Sequence, residues 1–137
     1  MVIHATDFYA ECTSVPCPIS THFYVSALDV LINNAGVMHT ANLENITEEH
    51  FDDSMAVNVK SALRLTQNAV KWLEQSSLKT VVNVSSIAGL RAYPGTLPYK
   101  ISKAAMDQMT RCTGSYLPAT KVIFEVYKQD FLLLFSC

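Results

Sequence analysis

Short apolar runs alternate along this chain with longer stretches in which apolar residues recur every three or four positions. Ala27-Leu28-Asp29-Val30-Leu31-Ile32 lacks regular polar alternation and ends at Asn33-Asn34-Ala35-Gly36, the pattern of a parallel strand buried on both faces. After a loop through Asn42, Thr47 is placed to cap a helix, with Glu48 and Glu49 favourably set for the helix dipole. Phe51, Met55, Val59, Ala62, Thr66, Ala69 and Leu73 then follow helical spacing, which predicts a helix of about 25 residues with that stripe buried. Lys79 to Ser85 is rich in valine and reads as a second buried strand, and Ile87 to Leu97 as a loop punctuated by Gly89, Pro94 and Gly95. Pro98 can open a further helix, carried by Ile101, Ala104, Ala105, Gln108 and Cys112 as far as Gly114. Residues 121–127 could add a strand. Strand, helix, strand, helix with short connections implies an α/β fold with a parallel sheet and right-handed crossovers.

Composition narrows the function classes. The 137 residues suit one domain; half are hydrophobic and 16% are charged, which excludes a disordered chain. A net charge of -2 gives no electrostatic basis for a nucleic-acid or anionic-membrane partner. No basic segment followed by an apolar core opens the chain, and Phe131–Phe135 is far too short to span a bilayer; the expected location is cytoplasmic. Cys12, Cys17, Cys112 and Cys137 form no CxxC pair, and His4, His22, His39 and His50 are scattered, so free thiols and no metal site are expected. Asn45-Ile46-Thr47 and Asn83-Val84-Ser85 match the glycosylation sequon, the second inside an expected buried strand.

One pair of residues carries chemistry. Tyr99 and Lys103 stand at i and i+4 of the last predicted helix, on one face, with Ser86 upstream. Tyrosinate and Lys⁺ at ~4 Å attract by roughly 4 kcal/mol at an effective dielectric of ~20. Part of that attraction suffices to bring a phenol towards working pH, where it can exchange a proton with a carbonyl or alcohol oxygen.

Asn33-Asn34-Ala35-Gly36, then Ala56-Val57-Asn58-Val59, then Val81-Val82-Asn83-Val84-Ser85-Ser86, then Tyr99 and Lys103, in that order and spacing, resemble the short-chain dehydrogenase/reductase family over roughly Leu28 to Thr113. The resemblance implies a partial Rossmann-like, doubly wound parallel sheet with flanking helices. It also implies an NAD(P)-dependent oxidoreductase acting on a small-molecule carbonyl or alcohol. Tyr99 would be the acid/base. Lys103 would lower its pKa and hydrogen-bond the nicotinamide ribose, and Ser86 would donate to the substrate oxygen, with Ser85 structural. Asn58 would hold a water in a proton relay. Asn33, Ala35 and Gly36 would lie where the backbone approaches the cofactor, with Tyr99 and Lys103 also touching it; Asn33 and Asn34 could equally brace the sheet. The helices at about 48–74 and 98–113 would pair across a homo-oligomer interface. Arg91, in the loop beside the substrate, could meet an anionic group or simply be solvated.

Two departures define the limits of that resemblance. Only four glycines are present and none forms the glycine-rich turn that cradles a pyrophosphate, so cofactor binding and the choice of NAD or NADP are open. The Pro-Gly segment that follows in the family is also missing after Thr113. The chain therefore divides into an unassigned segment 1–26, a partial catalytic core 27–113 and a divergent segment 114–137. A sheet without its first three strands is expected to expose an edge and an apolar face. The alternative function is a non-catalytic fragment that associates with a full-length relative through its helices.

Overall fold

A computed structural model of the chain describes residues 2–4, 26–116 and 123–129. Four strands, β1 (Val2–His4), β2 (Val30–Asn33), β3 (Thr80–Ser86) and β4 (Ile123–Gln129), form one parallel sheet in the order β1-β2-β3-β4. The pairing places Val2 beside Val30, Val30 beside Thr80, and Thr80 beside Ile123. The edge of β2 expected to lie open is thus taken by β1, and the strand anticipated at 121–127 is β4. Cys112 is a free, exposed thiol; Cys12, Cys17 and Cys137 lie outside the described residues.

Between β2 and β3 the chain forms α1 (Glu48–Met55), a π-helical turn (Ala56–Lys60) and α2 (Ser61–Leu73). Thr47 caps α1 as its residue type dictates, its hydroxyl accepting from His50 N at 3.1 Å. The capping box is closed by the His50 ring instead of Glu or Gln, with Thr47 N donating to Nδ1 at 3.4 Å. Between β3 and β4, a short 3-10 turn (Ile87–Gly89) and a loop lead to α3 (Leu97–Tyr116). That helix runs through Gly114 instead of stopping there.

The buried stripe of α2 is the predicted one: Ala62, Thr66, Ala69 and Leu73, joined by Leu65. Upstream of it the prediction fails. Phe51 is exposed and Met55 and Val59 only half-buried, while Ser54, Val57, Asn58 and Ser61 are buried. The π turn is the cause. A turn closed by i→i+5 bonds holds more residues than an α turn, so the inward phase slips by one position, from Val59 to Asn58 and from Met55 to Ser54. The small side chains thereby brought inward let α1 and the π turn pack closely on α3.

That packing puts α1, α2 and α3 on one face of the sheet, towards which Leu31, Asn33, Val81, Asn83 and Ser85 point. Leu28, Leu31, Val57, Leu65, Leu73, Val81 and Met106 form the apolar core there. On the opposite face Val30, Ile32, Val82 and Val84 are half-buried, and no described helix lies over them.

A polar crossbar runs through the helix-side layer. Asn33 and Asn83 are register partners, and Asn33 Nδ2 donates to Asn83 Oδ1 at 2.7 Å and to Thr66 Oγ1 at 3.1 Å. Asn83 Nδ2 donates to Thr110 Oγ1 at 2.9 Å, and that hydroxyl donates to Met106 O. Four side chains thus tie α2, β2, β3 and α3 in one line; the burial of Asn83 also excludes a glycan there. Such a network costs most when one member is removed, since its partners remain buried and unmatched. Asn83→Ala is expected to cost about 2–4 kcal/mol in urea unfolding. A double-mutant cycle with Asn33→Ala should show coupling of about 1 kcal/mol; strictly additive losses would contradict the crossbar.

Candidate active site

The site lies at the C-terminal end of β3. Gly89 explains why α3 can approach it so closely: a Cβ at that position would stand 3.0 Å from the backbone atoms Lys103 C and Ala104 N. With only hydrogen there, the turn after β3 rests directly on α3. Ser85 Oγ donates to Lys103 O at 3.2 Å, a structural tie. Ser86, the next residue, turns the other way; its Oγ accepts from Ala88 N at 3.2 Å, and its hydroxyl favours the ionised form of Tyr99.

Lys103 runs back along the same face of α3. Its Nζ donates to Val84 O at 2.9 Å and stands 5.6 Å from the centroid of the Tyr99 ring. Gly36, in the loop after β2, lies over it; a Cβ there would be 3.6 Å from Nζ and 3.4 Å from Asn58 Oδ1. Burial lowers the Lys103 pKa to about 8, partly opposed by the carboxylate of Asp107.

Asn58 is fully buried in the π turn. Its Oδ1 accepts from Val37 N at 2.7 Å, while Nδ2 donates to Val37 O at 2.9 Å and to Ser102 Oγ at 2.8 Å. Ser102 Oγ in turn donates to Tyr99 O at 2.7 Å. Both amide hydrogens are bonded within the protein, which makes Asn58 a clasp between the loop after β2 and the first turn of α3. His39 braces the same loop from outside, pairing with Asp53 Oδ2 at 2.7 Å and stacking on His50.

The Asn33 side chain belongs to the crossbar, the bracing role held open for it, because alternation along β2 sends it to the helix face; Gly36 borders the cluster. One expectation changes. The Tyr99 pKa is raised, not lowered: burial outweighs the hydrogen bond from Ser86, and the nearby Tyr93 adds to the rise. Lys103 is itself desolvated and donates to the Val84 carbonyl. Arg91 is exposed. Among the described residues there is no cluster that could hold a metal ion, and no helix is long and apolar enough to cross a membrane.

With Ser86, Tyr99 and Lys103 in one cluster at a parallel-strand terminus, the comparison with known proteins is decisive. The sequence pattern of the short chain dehydrogenase family matches residues 12–127. The chain belongs to that family. It is 45% identical over 84 residues to an uncharacterized oxidoreductase of Thermotoga maritima, covering 61% of this chain and 34% of the relative. To the 3-oxoacyl-[acyl-carrier-protein] reductase FabG of the same organism it is 38% identical over 95 residues, covering 69% and 39%. Among solved structures, the NADH-dependent reductase A1-R′ responsible for alginate metabolism superposes with a TM-score of 0.71 at 30% identity, covering 76% of this chain and 45% of that one. The chain thus spans between a third and a half of the length of these relatives.

The depressed Lys103 pKa has a consequence for stability. Between about 8 and the ordinary 10.5 the unfolded chain holds the lysine proton more often than the folded one, so folding stability contributed by this group rises with pH across that window. The burial penalty is of the order of 3 kcal/mol at neutral pH. Urea unfolding of the wild-type chain, measured against Lys103→Met, should therefore gain stability between pH 8 and pH 10.5; a difference flat with pH would contradict the burial of a charged lysine.

Proposed function

We propose that this chain carries the catalytic half of an NAD(P)-dependent oxidoreductase that interconverts a carbonyl and an alcohol on a small molecule. The observation that carries the reading is the position of Ser86 at the end of β3, close enough to Tyr99 to favour its ionised form, beside a buried Lys103 whose ammonium gives the described protein one hydrogen bond, to Val84 O.

The residues present fit the nicotinamide-ribose end of the cofactor. A lysine ammonium has three N–H groups, so Lys103 keeps donors for a ribose diol, and the bare backbone at Gly36 leaves room over it. A glycine-rich pyrophosphate cradle is absent from the described residues. When bound, the dinucleotide supplies or accepts the hydride at the carbonyl carbon. In reduction, the Ser86 hydroxyl donates to the carbonyl oxygen where negative charge develops. Tyr99 then gives its proton to that oxygen, completing the alcohol. Burial raises its pKa, so the phenol keeps its proton until the more basic alkoxide oxygen forms. Lys103 stabilises the tyrosinate left behind, and Asn58 fixes the loop and helix that bring these groups together.

The second reading, a non-catalytic segment that pairs through its helices, is supported by the outward apolar stripe produced by the π turn. Phe51 on α1 and Leu97 and Ile101 on α3 are exposed, and a shallow groove is lined by Asp52, Met55, Ala56, Val59 and Lys60. A homo-oligomer formed through these helices would cover that stripe.

Titrating the purified chain with NADPH and NADH, read by nicotinamide fluorescence, separates the two. Saturation below roughly 1 mM, about 4 kcal/mol of binding, is the expected result for the enzyme; no binding at that level favours the segment. Given turnover, Tyr99→Phe should lower it by at least about 10²-fold while the circular dichroism spectrum is unchanged.

A further inference from the structure

We propose that the first turn of α3 holds an anion subsite, built by Lys100 and Thr96 and roofed by Tyr93, which takes the carboxylate of an oxo-acid substrate. The identity of the ligand as substrate rests on the reductase reading above; the subsite itself does not.

Lys100 is a buried cation that nothing among the described residues neutralises. It is 8% exposed, and its Nζ has no hydrogen-bond partner among the described residues. The ammonium sits 3.4 Å from the centroid of the Tyr93 ring. A π face offers a cation attraction but does not replace a directed acceptor for three N–H groups. Burial lowers the Lys100 pKa, and no carboxylate counters it, in contrast to Lys103 with Asp107.

The second orphan lies one turn earlier. Thr96 is buried, and its Oγ1 has no partner among the described residues. Lys100 N donates to Thr96 O at 3.1 Å, which fixes the two residues one turn apart. Long helical side chains run back towards the N-terminus, so Lys100 returns over the turn that Thr96 opens. That turn is also the positive end of a 20-residue helix. The first turn of α3 thus carries a buried ammonium and a buried hydroxyl, both without a partner among the described residues, a donor set suited to an acceptor that carries negative charge.

The location and charge count select the ligand. Lys100 directly follows Tyr99 in the first turn of α3, so the subsite adjoins the phenol proposed to protonate the carbonyl. Tyr93 is 38% exposed and precedes Pro94-Gly95, where Gly95 takes φ +97° with open space around it. One lysine balances one negative charge. A carboxylate is matched by it, whereas a phosphate dianion would leave a buried charge uncompensated.

The test is NMR of the full chain carrying ¹³Cε-lysine. The Lys100 signal is displaced by the Tyr93 ring current and is assigned by its loss in Lys100→Met; if that variant folds poorly, Tyr93→Leu makes the assignment by abolishing the displacement. Acetoacetate should move this signal saturably, while methyl acetoacetate and chloride at matched ionic strength leave it in place. Inorganic phosphate should act more weakly than acetoacetate. Thr96→Val should raise the apparent Kd about tenfold, the loss of one charge-assisted hydrogen bond, and Tyr99→Phe should leave the response intact. A signal unmoved by acetoacetate, or moved as much by the ester or by phosphate, overturns the subsite. A response to acetoacetate in a chain without NADPH turnover upholds the subsite and removes only the reductase reading.

Discussion

The turn after β3 and the backbone of α3 touch with no room for a methyl group between them, and most of the site follows from that contact. Because Gly89 admits α3 to this distance, Ser85 can bond the Lys103 carbonyl, Ser86 can reach Tyr99, and Lys103 can bond the carbonyl of Val84. Each of these bonds is short-range and would be lost by a displacement of an ångström or so. The helix is held down again by Asn58 through Ser102 and by the crossbar through Thr110. The ties at Ser102, Lys103 and Thr110 are spread over about two turns of α3, so the helix can neither slide nor roll without breaking a buried hydrogen bond.

Polar groups do an unusual share of this work. Asn33, Asn83, Thr66 and Thr110 occupy positions where a simple α/β core would place aliphatic side chains, and Asn58, Ser102 and Lys103 are buried as well. Apolar packing would be about as stable but indifferent to small shifts in register. Paired amides accept one alignment of β2 against β3, and the active-site residues at the ends of those strands inherit that alignment. Buried Lys103 opposes folding at neutral pH while serving the proposed chemistry, a common tension at functional sites.

Much of this was legible in the sequence, and what was not has definite causes. The strands at β2 and β3 and the Thr47 cap follow from residue type and spacing; the grouping of Ser86 with Tyr99 and Lys103 followed from the resemblance to the family. The buried stripe before Asn58 did not, because spacing arguments assume a uniform helical pitch and the π turn breaks it. Asn83 was visible only as half of a sequon, since the value of a buried amide depends on a register partner fifty residues away. The direction of the Tyr99 shift was misjudged because a Coulomb estimate between two side chains omits the desolvation of both. Lys100 carries no signal in the sequence, and only the fold places Tyr93 over it.

The π turn also makes the molecule unusually sensitive to changes in length. Deleting one residue between positions 56 and 60 would restore ordinary pitch and rotate α1 by about 100° relative to α2. Phe51 and Met55 would swing under the helix layer, and the amide of Asn58 would leave the Val37 backbone it now grips. The frame of that segment is therefore held by a single surplus position, and a deletion there would do more damage than most substitutions of the residues it contains.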